Sequence, residues 1–327
     1  MKSQFNRRII GAVAATALTI TLTACGQGGN EANGEGNSVS VAIIAKFNAG
    51  EFWVAARQGA MAAGEDLGVD VSFNGPDTEN EGEKQLNQLQ AAINANPDGI
   101  GFAAQNGAEE GAPAMLDEAK ANGIDIVAFA TPMSFSDAPI ATVASNNEKM
   151  GQMAAEHLAE LLGGKGKVAV ITNGMVGDAA VRRDSFIEHL AEIAPDIEVV
   201  DVQDGQADRA ISLNKAQGIL QAHPDLNAFF GTSDNATIAA ADQVSAMSKD
   251  VRVVGIDATP EMLDMIRDGE ISGIVTQNAF EVGYQTVQVL ADAAADKLPE
   301  SDYIDITSVW ADADNLDDPE VQKALGF

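Results

Sequence analysis

The sequence has 327 residues but only one cysteine, three histidines and 19 Lys+Arg, the last against 49 Asp+Glu. Each shortage excludes a class of function. One cysteine forms neither an intrachain disulfide framework nor a thiolate metal cluster. His157, His189 and His223 fall in separate helical patterns with no second ligand nearby. They read as surface or packed imidazoles, so no metal and no cofactor is expected. A formal charge of −30 with no basic stripe argues against nucleic acid, whose phosphates are bound through clustered Lys and Arg. Catalytic signatures are missing too: there is no Gly-x-Ser-x-Gly, no His-Glu-x-x-His and no Walker Lys-Ser/Thr run. The stretch Gly163–Lys167 carries Gly and Lys without the phosphate-loop spacing and reads as a helix stop before a strand. An enzyme is therefore not expected.

Long apolar runs are also scarce. The uncharged stretch Ile9–Ala24 is too short and too rich in Thr and Gly for a spanning helix of ~20 apolar residues. It follows Lys2, Arg7 and Arg8, with no acidic residue before it, which is the layout of a secretory signal peptide. The signal would end at Leu22-Thr23-Ala24-Cys25, which looks like a bacterial lipobox. The only cysteine stands where acylation needs one, and a diacylated Cys25 supplies the two chains that stable anchoring requires. Removing residues 1–24 takes away three cations and no acid, so the charge deepens from −30 to −33. Residues 25–38 are rich in Gly and Asn and read as a tether. The expected location is extracytoplasmic, at the outer face of a cell membrane.

From Val39 onward, short apolar runs alternate with helical patterns. Val39–Ala45, Val69–Phe73, Gly99–Ala104, Ile124–Ala130 and Ile140–Ala144 read as strands. The intervening segments carry apolar or small residues at helical spacing, such as Phe52, Ala56, Ala60, Ala63 and Leu67. The pattern then starts again. A helix is expected over Met150–Leu162, with Met150, Met153, His157 or Leu158, and Leu161 on one face. Strands follow at Lys167–Thr172, Ile197–Val202, Leu226–Gly231, Val251–Asp257 and Ile271–Thr276, with helices between them. Strands alternating with helices predict βαβ units and parallel sheets. Two doubly wound α/β domains follow, and ligands bind beyond the carboxyl ends of such strands.

Several stretches resemble the ribose-type family of periplasmic sugar-binding proteins, the substrate receptors of ABC importers. They are Val39–Trp53, Asn96–Ala104, Ala144–Leu158, Val253–Met262 and Asp312–Leu325. The resemblance implies a type I periplasmic binding protein: two parallel-sheet lobes joined by a three-segment hinge, closing on a solute. It implies crossings near Ser145, Asn278 and Thr307. The first lobe would then be 39–145 plus 278–306, and the second 146–277 plus 307–327. Implied partners are a small polyhydroxylated solute and membrane permease subunits, with the receptor a monomer. Lys46 and the Val69–Asn80 stretch lean toward the receptors for the furanosyl autoinducer and for rhamnose, so a signal receptor feeding a membrane sensor is the alternative. The chain also departs from the ribose type. Ala130 and Thr131 stand where many members have Asp and Arg, Ala180 stands where the ribose type has Arg, and Ser233-Asp234 replace Asn-Asp.

Sugars present hydroxyl groups and apolar C–H faces, which carboxylates, amides and aromatic rings answer. Phe52 and Trp53 open the first helix beyond the first strand, where a cleft-facing ring is reasonable; the alternative is two core aromatics. Lys46 follows the first strand directly. Asp257 ends a strand and suits a polyol, or caps the next helix. Gln277 lies at a predicted crossing, as a solute contact or a hinge hydrogen bond. The resemblance points to Asp257 and Gln277 gripping hydroxyls and to Asp178 as a ligand contact. Asp178 could instead cap its helix, and Arg182 could be a structural ion pair. Gln105, Asn106, Thr131, Ser233 and Asp234 follow strand ends and complete the expected site.

Overall fold

The computed structural model describes residues 38–78, 81–105 and 110–325. Cys25 and Asn106 lie outside the described residues. The chain begins β1 (Ser40–Ile44), α1 (Glu51–Leu67), β2 (Asp70–Asn74), α2 (Gly82–Ala95), β3 (Gly99–Phe102), α3 (Ala112–Ala121), β4 (Asp125–Phe129) and β5 (Ala141–Ala144). It continues α4 (Asn147–Leu162), β6 (Lys165–Thr172), α5 (Asp178–Ile193), β7 (Asp196–Asp204), α6 (Arg209–Ala222), β8 (Ala228–Gly231), α7 (Asp234–Ala246), β9 (Arg252–Ile256), α8 (Pro260–Arg267) and β10 (Gly273–Val275). It ends α9 (Ala279–Ala294), β11 (Tyr303–Asp305), β12 (Trp310–Ala311) and α10 (Pro319–Leu325).

Two sheets result, with strand orders β11-β5-β4-β3-β1-β2 and β12-β10-β9-β8-β6-β7. The orders match position for position. The chain leaves the first sheet after β5, returns to it through α9 and β11, and leaves again before β12. All pairings are parallel except β10–β12, which is antiparallel and departs from the all-parallel expectation. Strands β11 and β12 are only three and two residues long. Their segment has too little apolar sequence to show a period of its own.

The central strands form because they are apolar on both faces. Val41, Ala42, Ile43 and Ile44 are all buried, as helices on each side of a parallel sheet require. In the first lobe, α1 and α9 cover one face through Trp53, Ala56, Ala60, Val282 and Leu290. Leu89, Ile93 and Leu116 from α2 and α3 cover the other. In the second lobe, Met150, Leu158, Phe186 and Leu190 from α4 and α5 oppose Ile219, Met262 and Ile266 from α6 and α8. The α4 face differs from the expected one at its C-terminal end. Leu161 is exposed, whereas Gly151, Ala154, Ala155 and Leu158 pack inward.

The buried small residues reflect a close helix crossing. A Cβ on Gly59 of α1 would stand 1.9 Å from the Phe280 carbonyl oxygen, and one on Gly283 of α9 would stand 1.9 Å from that of Ala56. Only glycine permits this approach, and it ties a helix from late in the sequence onto the first lobe. Helix starts are set by side chains: Asn146 caps α4, Asp208 caps α6, Thr259 caps α8 ahead of Pro260, and Asn278 caps α9.

Candidate functional site

A cleft of about 650 Å³ opens between the two sheets at the carboxyl ends of their strands. The loop after β1, the first turn of α1 and the residues after β4 line it from the first lobe. The first turns of α5 and α7 and the residues after β9 and β10 line it from the second. Lys46, Phe52, Trp53, Thr131, Asp178, Arg182, Ser233, Asp234, Asp257 and Gln277 all lie on its wall. Residues separated by up to 231 positions in the sequence are thus brought together by two strand-end loop clusters facing each other.

The first-lobe wall is aromatic. Trp53 packs edge-to-face with Phe52 at 5.0 Å, Phe129 at 5.8 Å and Phe47 at 6.2 Å. At 5% exposure Trp53 is largely a core residue, while Phe52 is only half-buried and presents more surface to the cleft. The pair is thus split between core and rim, rather than being two core aromatics. Lys46, Glu51, Gln58, Asp77, Thr78 and Thr131 are polar lining residues on this side, and Lys46 and Thr131 are the two that reach Asp178.

The second-lobe wall is a chain of hydrogen bonds. Asp178 lies in the first turn of α5, but its carboxylate does not cap the helix. Its Oδ2 accepts from Lys46 Nζ at 2.9 Å and Thr131 Oγ1 at 3.1 Å, both across the cleft. Its Oδ1 accepts from Asn147 Nδ2 at 3.2 Å. Asn147 Oδ1 in turn accepts from Arg182 Nε at 2.7 Å. Arg182 Nη1 donates to the Thr232 carbonyl and Nη2 to Gln277 Oε1, each at 3.0 Å. Gln277 Nε2 donates to Asp257 Oδ1, and Asp257 Oδ2 accepts from the Asp234 backbone N–H at 3.1 Å. Asp257 is not a cap either, because Thr259 takes that place on α8.

Burial works to raise the Asp178 carboxyl, but the charges of Lys46 and Arg182 and the hydrogen bonds from Lys46 and Thr131 outweigh it and hold it below the usual carboxylate range. Behind it, burial first and then Asp305 and Asp178 push the Tyr303 phenol up to about 12, so it stays a donor, to the Ser145 carbonyl at 3.1 Å.

Three expected site residues take other places or roles. Gln105 is 2% exposed and does not line the cleft. Its amide donates to the carbonyls of Lys46 and Thr78, and so braces the loops behind the wall. The Ser233 hydroxyl caps α7, accepting from the Ala236 N–H at 3.4 Å. Arg182 lines the cleft, but all three guanidinium nitrogens are bonded to protein acceptors rather than held by an ion pair. Asn147, missed in the sequence, is buried behind the wall and links two residues that line it, Asp178 and Arg182. Its signal was the polar Ser145-Asn146-Asn147 run after an apolar strand, inside the Ala144–Leu158 stretch that carries the family resemblance. Among the described residues no cluster of three or more His, Cys, Asp or Glu is arranged to hold a metal ion. His157 stacks on Trp310 at 4.2 Å, away from the cleft wall.

The fold and cleft agree with comparisons to known proteins. The periplasmic binding protein domain model matches residues 41–298. The chain is similar to the ribose import binding protein of Bacillus subtilis (strain 168), 29% identical over 76% of this chain and 77% of that one. It is similar to the D-allose-binding periplasmic protein of Escherichia coli (strain K12), 27% identical over 81% of this chain and 89% of that one. Among solved structures it is similar to GanP, a glucose-galactose binding protein from Geobacillus stearothermophilus. That structure is 27% identical with a TM-score of 0.79, the match covering 86% of this chain and 99% of that one. Two matched sheets, one cleft at their carboxyl ends and these likenesses identify the chain as a member of the periplasmic binding protein family, in its ribose-type sugar-binding group.

Proposed function

We propose that this protein is the lipid-anchored solute receptor of an ABC importer, and that it binds a small neutral carbohydrate or polyol between its lobes. The observation that carries the reading is the asymmetric cleft wall. Asp257, Asp234 and Gln277 offer acceptors and donors to hydroxyl groups from one lobe, and Phe52, backed by Trp53, offers an apolar ring from the other. That is the complement of a sugar's two kinds of surface. The relatives' names, for ribose, allose, and glucose and galactose, support the class.

Charge narrows the class. Among the described residues, Glu51, Asp77, Asp178, Asp208, Asp234 and Asp257 line the cleft against Lys46 and Arg182 alone, and both cations are bonded to protein groups. A sugar phosphate or uronate would enter against this excess. Solute contacts from both lobes favour the closed state, which is the form a permease would accept. Cys25 would hold the receptor at the membrane through its acyl chains, and residues 26–38 would give the lobes reach.

A thermal-shift panel of pentoses, hexoses, polyols, the furanosyl autoinducer and matching uronates tests the reading. A ligand at 100 times its dissociation constant should add roughly 2.7 kcal/mol of stability. We expect a neutral sugar or polyol to stabilise and its uronate to do nothing. A panel flat for every neutral member would overturn the carbohydrate reading. A response confined to the autoinducer would favour the signal receptor.

A further inference from the structure

We propose that Arg182 is a positioning residue that keeps the second-lobe half of the site assembled whether the lobes are open or closed, so that a solute meets one finished half-site and closure adds the other. This rests on the cleft being the solute site. Arg182 is 9% exposed, and its three nitrogens bond three separate segments of the second lobe. Asn147 lies just past the first crossing from the first sheet, Thr232 follows β8, and Gln277 lies just before the chain returns to the first lobe.

The chemistry of these partners gives the arginine its leverage. A guanidinium only donates, so it requires the oxygen of each amide it meets. With Asn147 Oδ1 and Gln277 Oε1 turned to Arg182, both amide nitrogens point the other way. One then donates to Asp178 and the other to Asp257. A single buried cation thereby orients two amides and, through them, two carboxylates. Without it either amide could flip and set a carbonyl oxygen against a carboxylate.

The bonds that cross the cleft are different in kind. Lys46 and Thr131 both end on Asp178 Oδ2, whereas Oδ1 is held within the second lobe by Asn147. Opening the clamp breaks the first set and leaves the Arg182 network whole. Asp178 is the joint between the two, with one oxygen serving each side.

The Asp234 N–H reports on this network without any solute. It lies in the first turn of α7, where a backbone N–H has no carbonyl of its own helix to meet, and it bonds Asp257 Oδ2. Its amide hydrogen exchange can be followed in the full chain. Arg182→Met should speed exchange at Asp234 at least tenfold while amides in the middle of α5 keep wild-type protection; Arg182→Lys should restore part of it. Gln277→Glu, which removes the donor to Asp257 but leaves Arg182 an acceptor, should raise exchange at the same amide and covers the case in which Arg182→Met fails to fold. The double variant Lys46→Met/Thr131→Val should leave Asp234 exchange within twofold of wild type. Two results would overturn the proposal: an unchanged Asp234 rate in Arg182→Met and Gln277→Glu, or an equal rise in the Lys46/Thr131 variant, which would mean that the half-site needs closure. The measurement uses no solute, so a flat sugar panel would sink the carbohydrate reading and leave this result standing.

Discussion

The two lobes share one strand order but line their common cleft with opposite chemistry. At the end of the fourth strand of each sheet the backbone makes the same left-handed turn. Ala130 follows β4 with φ 60° and Asp257 follows β9 with φ 79°. Each donates its N–H to the neighbouring strand, Ala130 to Val143 at 2.9 Å and Asp257 to Val275 at 3.1 Å. Only the side chains differ: a methyl group on one side and a carboxylate tied to Gln277 and Asp234 on the other. The scaffold thus fixes where a side chain enters the cleft, and the sequence decides what it does there. The first lobe contributes an aromatic wall that is also core, and the second contributes a polar network that is mostly site.

That division predicts opposite outcomes for a pair of substitutions. Trp53→Ala removes a 5%-exposed ring in contact with Phe47, Phe52 and Phe129. It should cost about 3–5 kcal/mol of stability, read as a drop in thermal midpoint before any solute is added. Asp257→Asn should move the midpoint little but lower affinity for the stabilising sugar more than tenfold, read by calorimetry. If Asp257→Asn destabilises the protein as much as Trp53→Ala, the contrast between core wall and site wall is wrong.

How much of this was legible in the sequence follows from the range of the interactions. Val41-Ala42-Ile43-Ile44 announces a strand buried on both faces because four neighbouring residues carry the whole signal. Asp257 and Gln277 were visible because strand ends mark the cleft rim and the family resemblance supplied residue types. Position after a strand does not say which way a side chain turns, and so Gln105, which bends under the loop, was indistinguishable from Thr131, which reaches Asp178. Asn147 was hidden for a related reason. Its role depends on Arg182, 35 residues on, and a lone amide leaves no period. Leu161 was assigned to the core by spacing, but the close α4–α5 contact is made by Gly151, where a Cβ would meet Ser185 Oγ at 2.1 Å. Such a face is built of small residues that hydrophobic periodicity undercounts.

The Lys46–Asp178 ion pair, which joins the two walls, is pH-sensitive in a stated direction. Asp178 has its pKa lowered in the folded chain, so its pairing contributes fully above the ordinary carboxyl value of about 3.9 and is lost as pH falls through the lowered folded value. Lys46→Met removes the charge partner across the cleft. It should cost about 1 kcal/mol near pH 7 and flatten the loss of stability on acidification below about pH 4. Thermal midpoints of the two proteins between pH 7 and pH 3 should converge. Parallel curves would mean that Asp178 is held down from within the second lobe alone, and the lobes would be less coupled than the geometry implies.

The smallest effect is the most direct test of the matched turns. A non-glycine residue in the left-handed region costs about 1–2 kcal/mol, and glycine relieves this while losing roughly 0.5–1 kcal/mol of chain entropy. Ala130→Gly should therefore stabilise the protein by about 0.5 kcal/mol and leave sugar affinity within twofold, since a methyl group is all it removes. Asp257→Gly relieves the same backbone strain but takes away the carboxylate that anchors the Asp234 N–H and accepts from Gln277. Its stability gain should be cancelled and its affinity lost. Denaturant midpoints and calorimetry on the two variants separate backbone from side chain at equivalent positions. A stability loss in Ala130→Gly would show that the methyl group packs in the cleft wall, and the two turns would then match in backbone without being interchangeable in energy.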